Sequence, residues 1–364
     1  MTTTGHVVVI GAGPAGLAAG VCLGRRGLPF TILERGTAPA AALSRVDPDM
    51  MLLSPTRLSR LPEMAPNPSA PRYISFGKFT ELLEDYRRRH ELRVTTDATV
   101  VRVSREAGRF LVHYTVAGGP VQTIVASEVI NATGTITAPV LPDAFSPAEC
   151  ALPWKHSLDV RAADLATARR LVVVGGRASA AEVLDRWLEV RPADARARLS
   201  LRSPLRMIVS PILGVDIHYL AWLPEHMPVR PFGWRVGRLG EPMNGRHVLP
   251  ALWRGLIVRV PGIARYECDA LSFENGQRLE PDFLVFATGF RYGTSHLREL
   301  LEYDPDGRPR TRDCESTRTP GLFLLGLRYG RTFASPYIRG IGRDAAFVAR
   351  RISLRRGRGE RGPR

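Results

Sequence analysis

Three features of the 364-residue chain predict an α/β protein built on two dinucleotide-type units. The apolar run Val7-Val8-Val9-Ile10 leads into Gly11-Ala12-Gly13-Pro14-Ala15-Gly16, and Leu171-Val172-Val173-Val174 leads into Gly175-Gly176, 164 residues further on. The last third then returns to short apolar runs at 283–286 and 322–325, each followed closely by glycine. Short apolar runs of this kind mark strands buried on both faces, and a glycine turn opening a helix is the first half of a βαβ unit. The expected architecture is two Rossmann-like domains, the second inserted in the first, with a small antiparallel β-meander.

The elements follow in order. After the first turn an Ala/Leu-rich helix runs to about Arg26, Gly27 closes it, and Phe30-Thr31-Ile32-Leu33-Glu34 forms the next strand. Residues 37–77, rich in Pro, Ser and Met, read as loop, and 79–90 as helix. Short strands at 100–103, 110–114 and 122–125, with a Gly118-Gly119-Pro120 turn, predict the meander. The second unit has a helix over 179–190 and a return strand over 198–202. Residues 205–265, rich in Pro, Trp and Gly, are the least readable part and are assigned to the substrate side. Asn275-Gly276 predicts a hairpin turn. Strand 283–286 ends in Ala287-Thr288-Gly289, and strand 322–325, Gly326 and a helix over 342–352 close the chain. The expected domains are 1–150 with 281–364, and 151–280.

With 44% hydrophobic and 24% charged residues, a disordered polymer is excluded. Cys22, Cys150, Cys268 and Cys314 form no CxxC pair, which argues against a disulfide scaffold, a zinc site and a redox dithiol, and fits a reducing compartment. No metal cluster is expected. The net charge is 51 − 35 = +16, yet only Lys78 and Lys155 are lysines, so 49 of the 51 basic residues are arginine, a skew of GC-rich codon usage. The dense cluster Arg350, Arg351, Arg355, Arg356, Arg358, Arg361 and Arg364 is expected to be a solvated or disordered end. Its field would help recruit anionic ligands, whereas nucleic-acid binding is disfavoured. No run reaches the roughly 18 apolar residues of a membrane span. Only MTTTGH precedes the first strand, so a soluble, cytoplasmic protein with no signal peptide is expected.

The first turn carries a complete dinucleotide context. Gly11 makes the tight turn, Gly13 lets backbone approach a pyrophosphate, and Gly16 lets helix and strand pack closely. Pro14 and Ala15 open the helix, whose free N–H groups and partial positive charge suit phosphate. Glu34 ends the next strand 23 residues after Gly11, where a carboxylate accepts hydrogen bonds from ribose hydroxyls.

At this point the sequence resembles the flavin-containing monooxygenases and their YUCCA-type relatives. The residues that carry the likeness are Gly11 to Gly16 with Glu34-Arg35, and Met51-Leu52-Leu53-Ser54-Pro55 through Leu61-Pro62 with Tyr73 and Leu82 to Tyr86. Asn131-Ala132-Thr133-Gly134 with Pro139 and Leu141-Pro142 is similar to the family's first ATG linker, and Asp282 through Ala287-Thr288-Gly289-Phe290 to its second. Thr319-Pro320-Gly321-Leu322-Phe323 through Gly326 resembles the closing FAD motif. The likeness spans nearly the whole chain. It implies an FAD domain contacting its cofactor through Gly11, Gly13, Pro14, Ala15, Gly16, Glu34, Arg35, Leu53, Ser54, Val101, Ala132, Thr133, Gly134 and Gly326. It implies an NAD(P)H-type domain using Gly175, Ser179, Arg202, Thr288 and Gly289. In that family NADPH reduces the flavin, O₂ adds to it, and a flavin hydroperoxide oxygenates N, S or an electron-rich carbon of a small molecule, here possible in specialised metabolism. The flavin carries the chemistry, so no catalytic residue is assigned.

The second motif departs from the family. In Gly175-Gly176-Arg177-Ala178-Ser179-Ala180, Arg177 stands where a middle glycine would admit the pyrophosphate. Of the family's preceding FxGxxxHxxxY/F stretch, His156 and the adjacent Ser157 remain, while Cys150, Leu152 and Val160 replace Phe, Gly and Tyr/Phe. Arg202-Ser203 nonetheless lies where the family carries an Arg for the NADP 2′-phosphate, with Arg206 nearby. NADPH use is therefore left open. Two alternatives stand beside the monooxygenase: a substrate-reduced flavin oxidase or dehydrogenase, and a non-enzymatic flavin-binding redox sensor. By the family's layout Arg328, Tyr329, Arg331, Ser335 and Tyr337 line the substrate cavity. Asp216, His218, Tyr219 and Trp222 form a second wall, with Asp216 and His218 a candidate proton relay. A small-molecule substrate and O₂ are the expected partners, and a homodimer is an open option.

Overall fold

The computed structural model describes residues 5–136, 138–229 and 242–359. Strand β1 (Val7–Ile10) is buried at every position because it lies mid-sheet with both faces covered. Helix α1 (Pro14–Gly24) begins with Pro at its first position, where the missing N–H costs nothing. Strand β2 (Phe30–Leu33) pairs parallel to β1. Helix α2 (Phe76–Arg89) is capped by the Ser75 hydroxyl, which accepts from the Lys78 N–H. Strand β3 (Val94–Thr95) adds parallel to β2. The meander is β4 (Ala98–Glu106), β5 (Arg109–Val116) and β6 (Gln122–Ala126), all antiparallel. Strand β7 (Glu128–Asn131) then returns beside β1.

The inserted sheet contains β8 (Trp154–His156), β9 (Arg170–Val174), β10 (Arg196–Ser200), β11 (Ile257–Val260) and β12 (Phe283–Phe286), in the order β11-β10-β9-β12-β8 and all parallel. Helix α3 (Ala178–Val190) crosses from β9 to β10 and buries Val183, Leu184 and Trp187. The Trp187 indole N–H donates to the Ala168 carbonyl, so this buried ring keeps its polar atom paired. Here an expected boundary moves. The expected domain limits put strand β12 with 281–364 of the outer domain, but it pairs with β9 and β8 of the inserted one. The chain leaves the second sheet after Phe286.

The outer sheet is completed by β13 (Thr311–Arg312), β14 (Glu315–Ser316) and β15 (Leu322–Leu324), giving the order β13-β14-β15-β7-β1-β2-β3. The last helix, α4 (Ile338–Gly359), packs Ile341, Ala345 and Val348 against Leu17 and Val21 of α1. Burial of the Ile341 and Val348 side chains contributes about 1.5–3 kcal/mol each.

Helix α4 corrects two expectations. It spans 338–359 rather than 342–352, and Arg351, Arg355 and Arg356 are not a solvated end; Arg350 is exposed, and Arg361, Arg364 and the Arg358 side chain lie outside the described residues. Arg351 and Arg355, one turn apart, both reach the buried Glu315 (2.9 and 2.6 Å), and Arg356 reaches Glu128 (2.9 Å). Burial alone would push the Glu315 carboxyl up; the Arg355 and Arg351 guanidiniums and the Gly321 N–H outweigh it and hold it below the usual carboxylate range. Among the described residues, no helix is long and apolar enough to cross a membrane.

Two linkers tie the sheets together. Ala138–Pro139 pairs antiparallel with Phe290–Arg291, and the Thr288 hydroxyl donates to the Val140 carbonyl. The stretches that follow the two ATG segments thus run antiparallel beside each other.

Candidate functional site

The first glycine turn is shaped by three different constraints. Gly11 has φ +100°, and a Cβ there would lie 2.7 Å from the Ala132 carbonyl oxygen. A Cβ on Gly16 would collide with the Gly11 carbonyl. Gly13 is different: its φ is −73°, open to any residue, and an added Cβ would meet no protein atom within 4 Å. Nothing in the protein requires glycine there, so the cradle fits a ligand whose phosphates approach the backbone. Helix α1 begins at this point with no side-chain cap, which leaves its N-terminal N–H groups for an anion.

Glu34 is fixed beside the turn. The Ala12 N–H donates to its Oε2 (2.7 Å) and the Gly36 N–H to its Oε1 (2.8 Å), leaving each oxygen further lone-pair capacity for hydroxyls. Arg35 is exposed. Gly326 has φ +75°, and a Cβ there would touch Ala15, so the closing motif reaches the same turn. Thr133 Oγ1 lies near Asn131 and donates to the Gly293 carbonyl (3.3 Å); Gly134, at φ +76°, faces open space. Val101 occupies a β-bulge in the meander with its side chain half exposed.

The second turn repeats this backbone. Gly175 has φ +127°, and a Cβ there would collide with the Ala287 carbonyl, as Gly11 meets Ala132. Arg177 caps α3 in the extended region (φ −122°, ψ −166°), as Gly13 does (φ −73°, ψ −172°), and again with no side-chain cap. Its side chain is exposed, as is Arg202 beyond the end of β10. Ser179 sits in the first turn of α3, and Gly289 has φ +89° with open space around it. His156 is structural: its Nε2 meets the Gly289 carbonyl (3.1 Å) and its Nδ1 accepts from the Leu158 N–H (3.3 Å).

Between the domains, residues 216–229 lie against the outer domain. Asp216 is buried, and its carboxylate accepts from the Tyr73 hydroxyl and meets His218 Nδ1 at 2.7 Å; Arg72 stands at 3.9 Å. Burial pushes the Asp216 carboxyl up, but hydrogen bonds from Tyr73 and His218 outweigh it and keep it below its ordinary value. Burial and the Asp216 contact raise the Tyr73 hydroxyl. Asp216 and His218, expected as a relay pair, are in hydrogen-bond contact, and Tyr73 joins them through Asp216.

A second bridge was not expected. Arg339 forks onto Glu225 (2.5 and 2.6 Å) and donates from Nη1 to Ser54 Oγ (2.8 Å), with the Tyr337 ring 4.1 Å away. The Glu225 carbonyl accepts from the Ala334 N–H (2.7 Å), and the Arg331 carbonyl from the Val229 N–H (3.1 Å). Ser54, Glu225 and 331–339 are thereby brought together, beside an exposed Leu53. Others of the expected wall turn elsewhere. Arg331 pairs with buried Asp344 (2.9 Å), and Ser335 Oγ accepts from the Arg331 and Thr332 N–H groups. Tyr329 packs on Phe333 and under Arg308, Arg328 is near enough to influence the Tyr292 hydroxyl, and Tyr219 is exposed. Part of the segment assigned to the substrate side, 230–241, lies outside the described residues. Glu225 and Arg339, 114 positions apart, carry no local sequence signal, whereas Tyr73 lay in the stretch that resembled the family.

Two uncapped glycine turns, each following a strand with parallel neighbours, paired linkers and a polar wall where the sheets meet define a two-dinucleotide flavoprotein oxidoreductase. Residues 8–204 match the family model described as pyridine nucleotide-disulphide oxidoreductase, and the chain belongs to that family. A probable indole-3-pyruvate monooxygenase, YUCCA8 of Arabidopsis thaliana, is 26% identical, covering 95% of this chain and 88% of that protein. An uncharacterized CzcO-like oxidoreductase of Geobacillus kaustophilus is 26% identical, over 94% of this chain and 96% of its own. The structure of a flavin-containing monooxygenase from Stenotrophomonas maltophilia superposes with a TM-score of 0.76 at 26% identity, covering 96% of this chain and 98% of that one. The chain is an enzyme of this flavin-monooxygenase type, a class whose cofactors are FAD and NADPH. The disulphide chemistry in the family's name finds no dithiol here. All four cysteines are free, and burial pushes the Cys22 thiol up to about 11.

Proposed function

We propose that the protein is an NADPH- and O₂-dependent monooxygenase that places one oxygen atom on N, S or an electron-rich carbon of a small molecule. The observation that carries this reading is the Gly13 cradle beside Glu34, repeated in backbone at the second turn. When bound, FAD supplies the redox chemistry and the activation of O₂. The chain's own part is positioning and proton handling. Gly11, Gly13, Gly16 and the start of α1 would hold the diphosphate, and Glu34 the ribose. The start of α3 and Arg202 would hold NADPH. Ser54, fixed by the half-buried Arg339–Glu225 pair, and the Tyr73–Asp216–His218 chain supply polar groups at the domain junction. In that chain Asp216 stays ionised near neutral pH, so it accepts from Tyr73 and pairs with His218 Nδ1.

The test is product formation under labelled O₂. One labelled oxygen atom per product with one NADPH consumed supports the reading; product formed at the same rate without NADPH contradicts it. Arg177 favours a second reading, a substrate-reduced flavin oxidase or dehydrogenase on the same fold. That reading predicts anaerobic flavin reduction by substrate alone.

A further inference from the structure

A groove of about 470 Å³ opens at the C-terminal end of α1, the opposite end from the Gly13 cradle. Arginines from three separate parts of the chain line it: Arg25 and Arg26 after α1, Arg57 and Arg60 in the loop before α2, and Arg339 and Arg343 on α4. Two of the six have carboxylate partners, Arg25 with Glu63 (2.9 Å) and Arg339 with Glu225. For Arg26, Arg57, Arg60 and Arg343, no carboxylate partner exists among the described residues; Arg26 donates only to the Cys22 carbonyl (3.2 Å), and Arg343 lies 5.1 Å from the Trp222 ring centre.

Convergence of like charges is unfavourable, and more so beside the low-dielectric wall that Leu58, Leu61 and Pro62 provide. The α1 C-terminus attracts Arg25 and Arg26 through its exposed carbonyls, but that attraction fades within a turn and does not account for Arg57, Arg60 or Arg343. An anion shared among the three segments does. A single carboxylate is satisfied by one guanidinium fork, whereas a phosphate offers more charge and three terminal oxygens that accept from several forks. We propose that this groove is a binding site for a multiply charged phosphate group, carried by a ligand other than the cofactors of the two glycine turns. The phosphate comes either from a soluble phosphorylated compound or from a lipid headgroup. The site does not depend on the monooxygenase reading.

The experiment uses FAD-loaded protein, so that the first turn is filled. Inorganic pyrophosphate is titrated calorimetrically, and in parallel the protein is sedimented with vesicles of phosphatidylcholine alone or mixed with phosphatidylglycerol. The same measurements are made on the triple variant R57Q/R60Q/R343Q, whose three side chains are exposed, and on R202Q, which alters only the second turn. Retained flavin and an unchanged melting temperature establish that each variant is folded. Pyrophosphate binding that weakens about 100-fold in the triple variant and persists in R202Q supports the proposal with a soluble ligand. Sedimentation only with the mixed vesicles, lost in the triple variant, supports it with a lipid headgroup. Absence of binding in both arms, or binding that the triple variant retains, overturns it.

Discussion

The two glycine turns share a backbone and differ in what fills it. Gly11 and Gly175 both take positive φ, and each abuts the carbonyl of an ATG alanine, Ala132 or Ala287. Gly13 and Arg177 both cap a helix in extended conformation without a side-chain bond. The differences lie in side chains. Gly16 is forced by the Gly11 carbonyl, whereas Ala180 at the matching position of α3 is fully buried with its Cβ accommodated. Gly13 is bare where Arg177 projects a guanidinium. Glycines at the first turn therefore divide into those the fold needs and one that only a ligand needs, and the second turn has dispensed with the latter.

The largest effect is expected at Gly16. Gly16→Ala should abolish flavin retention and lower stability sharply, because α1 must move off the turn; Ala180→Gly should cost only about 1 kcal/mol, the price of glycine in a helix. Equal effects in thermal melts would break the distinction. Next, Gly13→Arg installs the second turn's residue in the first. The fold should persist, since a Cβ there meets nothing, while FAD affinity falls by about 1000-fold from crowding of the phosphates. A variant that titrates with FAD like the parent would show that the cradle is not the phosphate site.

Histidines at the two linkers extend the comparison to pH. His296 Nε2 meets Asn131 Oδ1 (3.1 Å) at the first linker, and burial pushes its pKa down to about 4 from 6.5. His156, at the second, is also lowered by burial, but the Gly289 carbonyl and Asp159 oppose the shift. A depressed folded pKa contributes stability that is complete above about pH 6.5 and declines as pH falls to about 4. For His296 this amounts to about 3 kcal/mol. Denaturation across that window should be flattened more by His296→Gln than by His156→Gln, and the reverse order would contradict the assignment of causes. The smallest effect is at Arg177. Arg177→Gly should lower the KM for NADPH by about tenfold, while Arg202→Gln should narrow the preference for NADPH over NADH. No change in either steady-state value would remove the second turn from the binding site.

Both turns, Glu34 and the linkers are legible in conformation because local backbone geometry sets it: each glycine is read within a window of a few residues. Strand β12 was placed in the wrong sheet because Phe283-Leu284-Val285-Phe286 is apolar throughout, and such a run records burial but not its neighbours. Arg351, Arg355 and Arg356 of α4 read as solvated because Glu315 and Glu128, their partners, lie far back in the chain. The same holds for the wall between domains. Asp216 and His218 were visible as neighbours, but Tyr73 meets Asp216 across 143 positions and Arg339 meets Ser54 across 285. Pairings at that range follow from how two sheets dock, which no short motif encodes.

The central claim is that both turns work, the second despite Arg177. The direct test is anaerobic mixing of the FAD-loaded protein with NADPH while following the yellow flavin absorbance. Rapid bleaching is the predicted result. Flavin that keeps its colour with NADPH, and bleaches only when an oxidisable substrate is added, would contradict the claim and leave the first turn as the one functioning dinucleotide site.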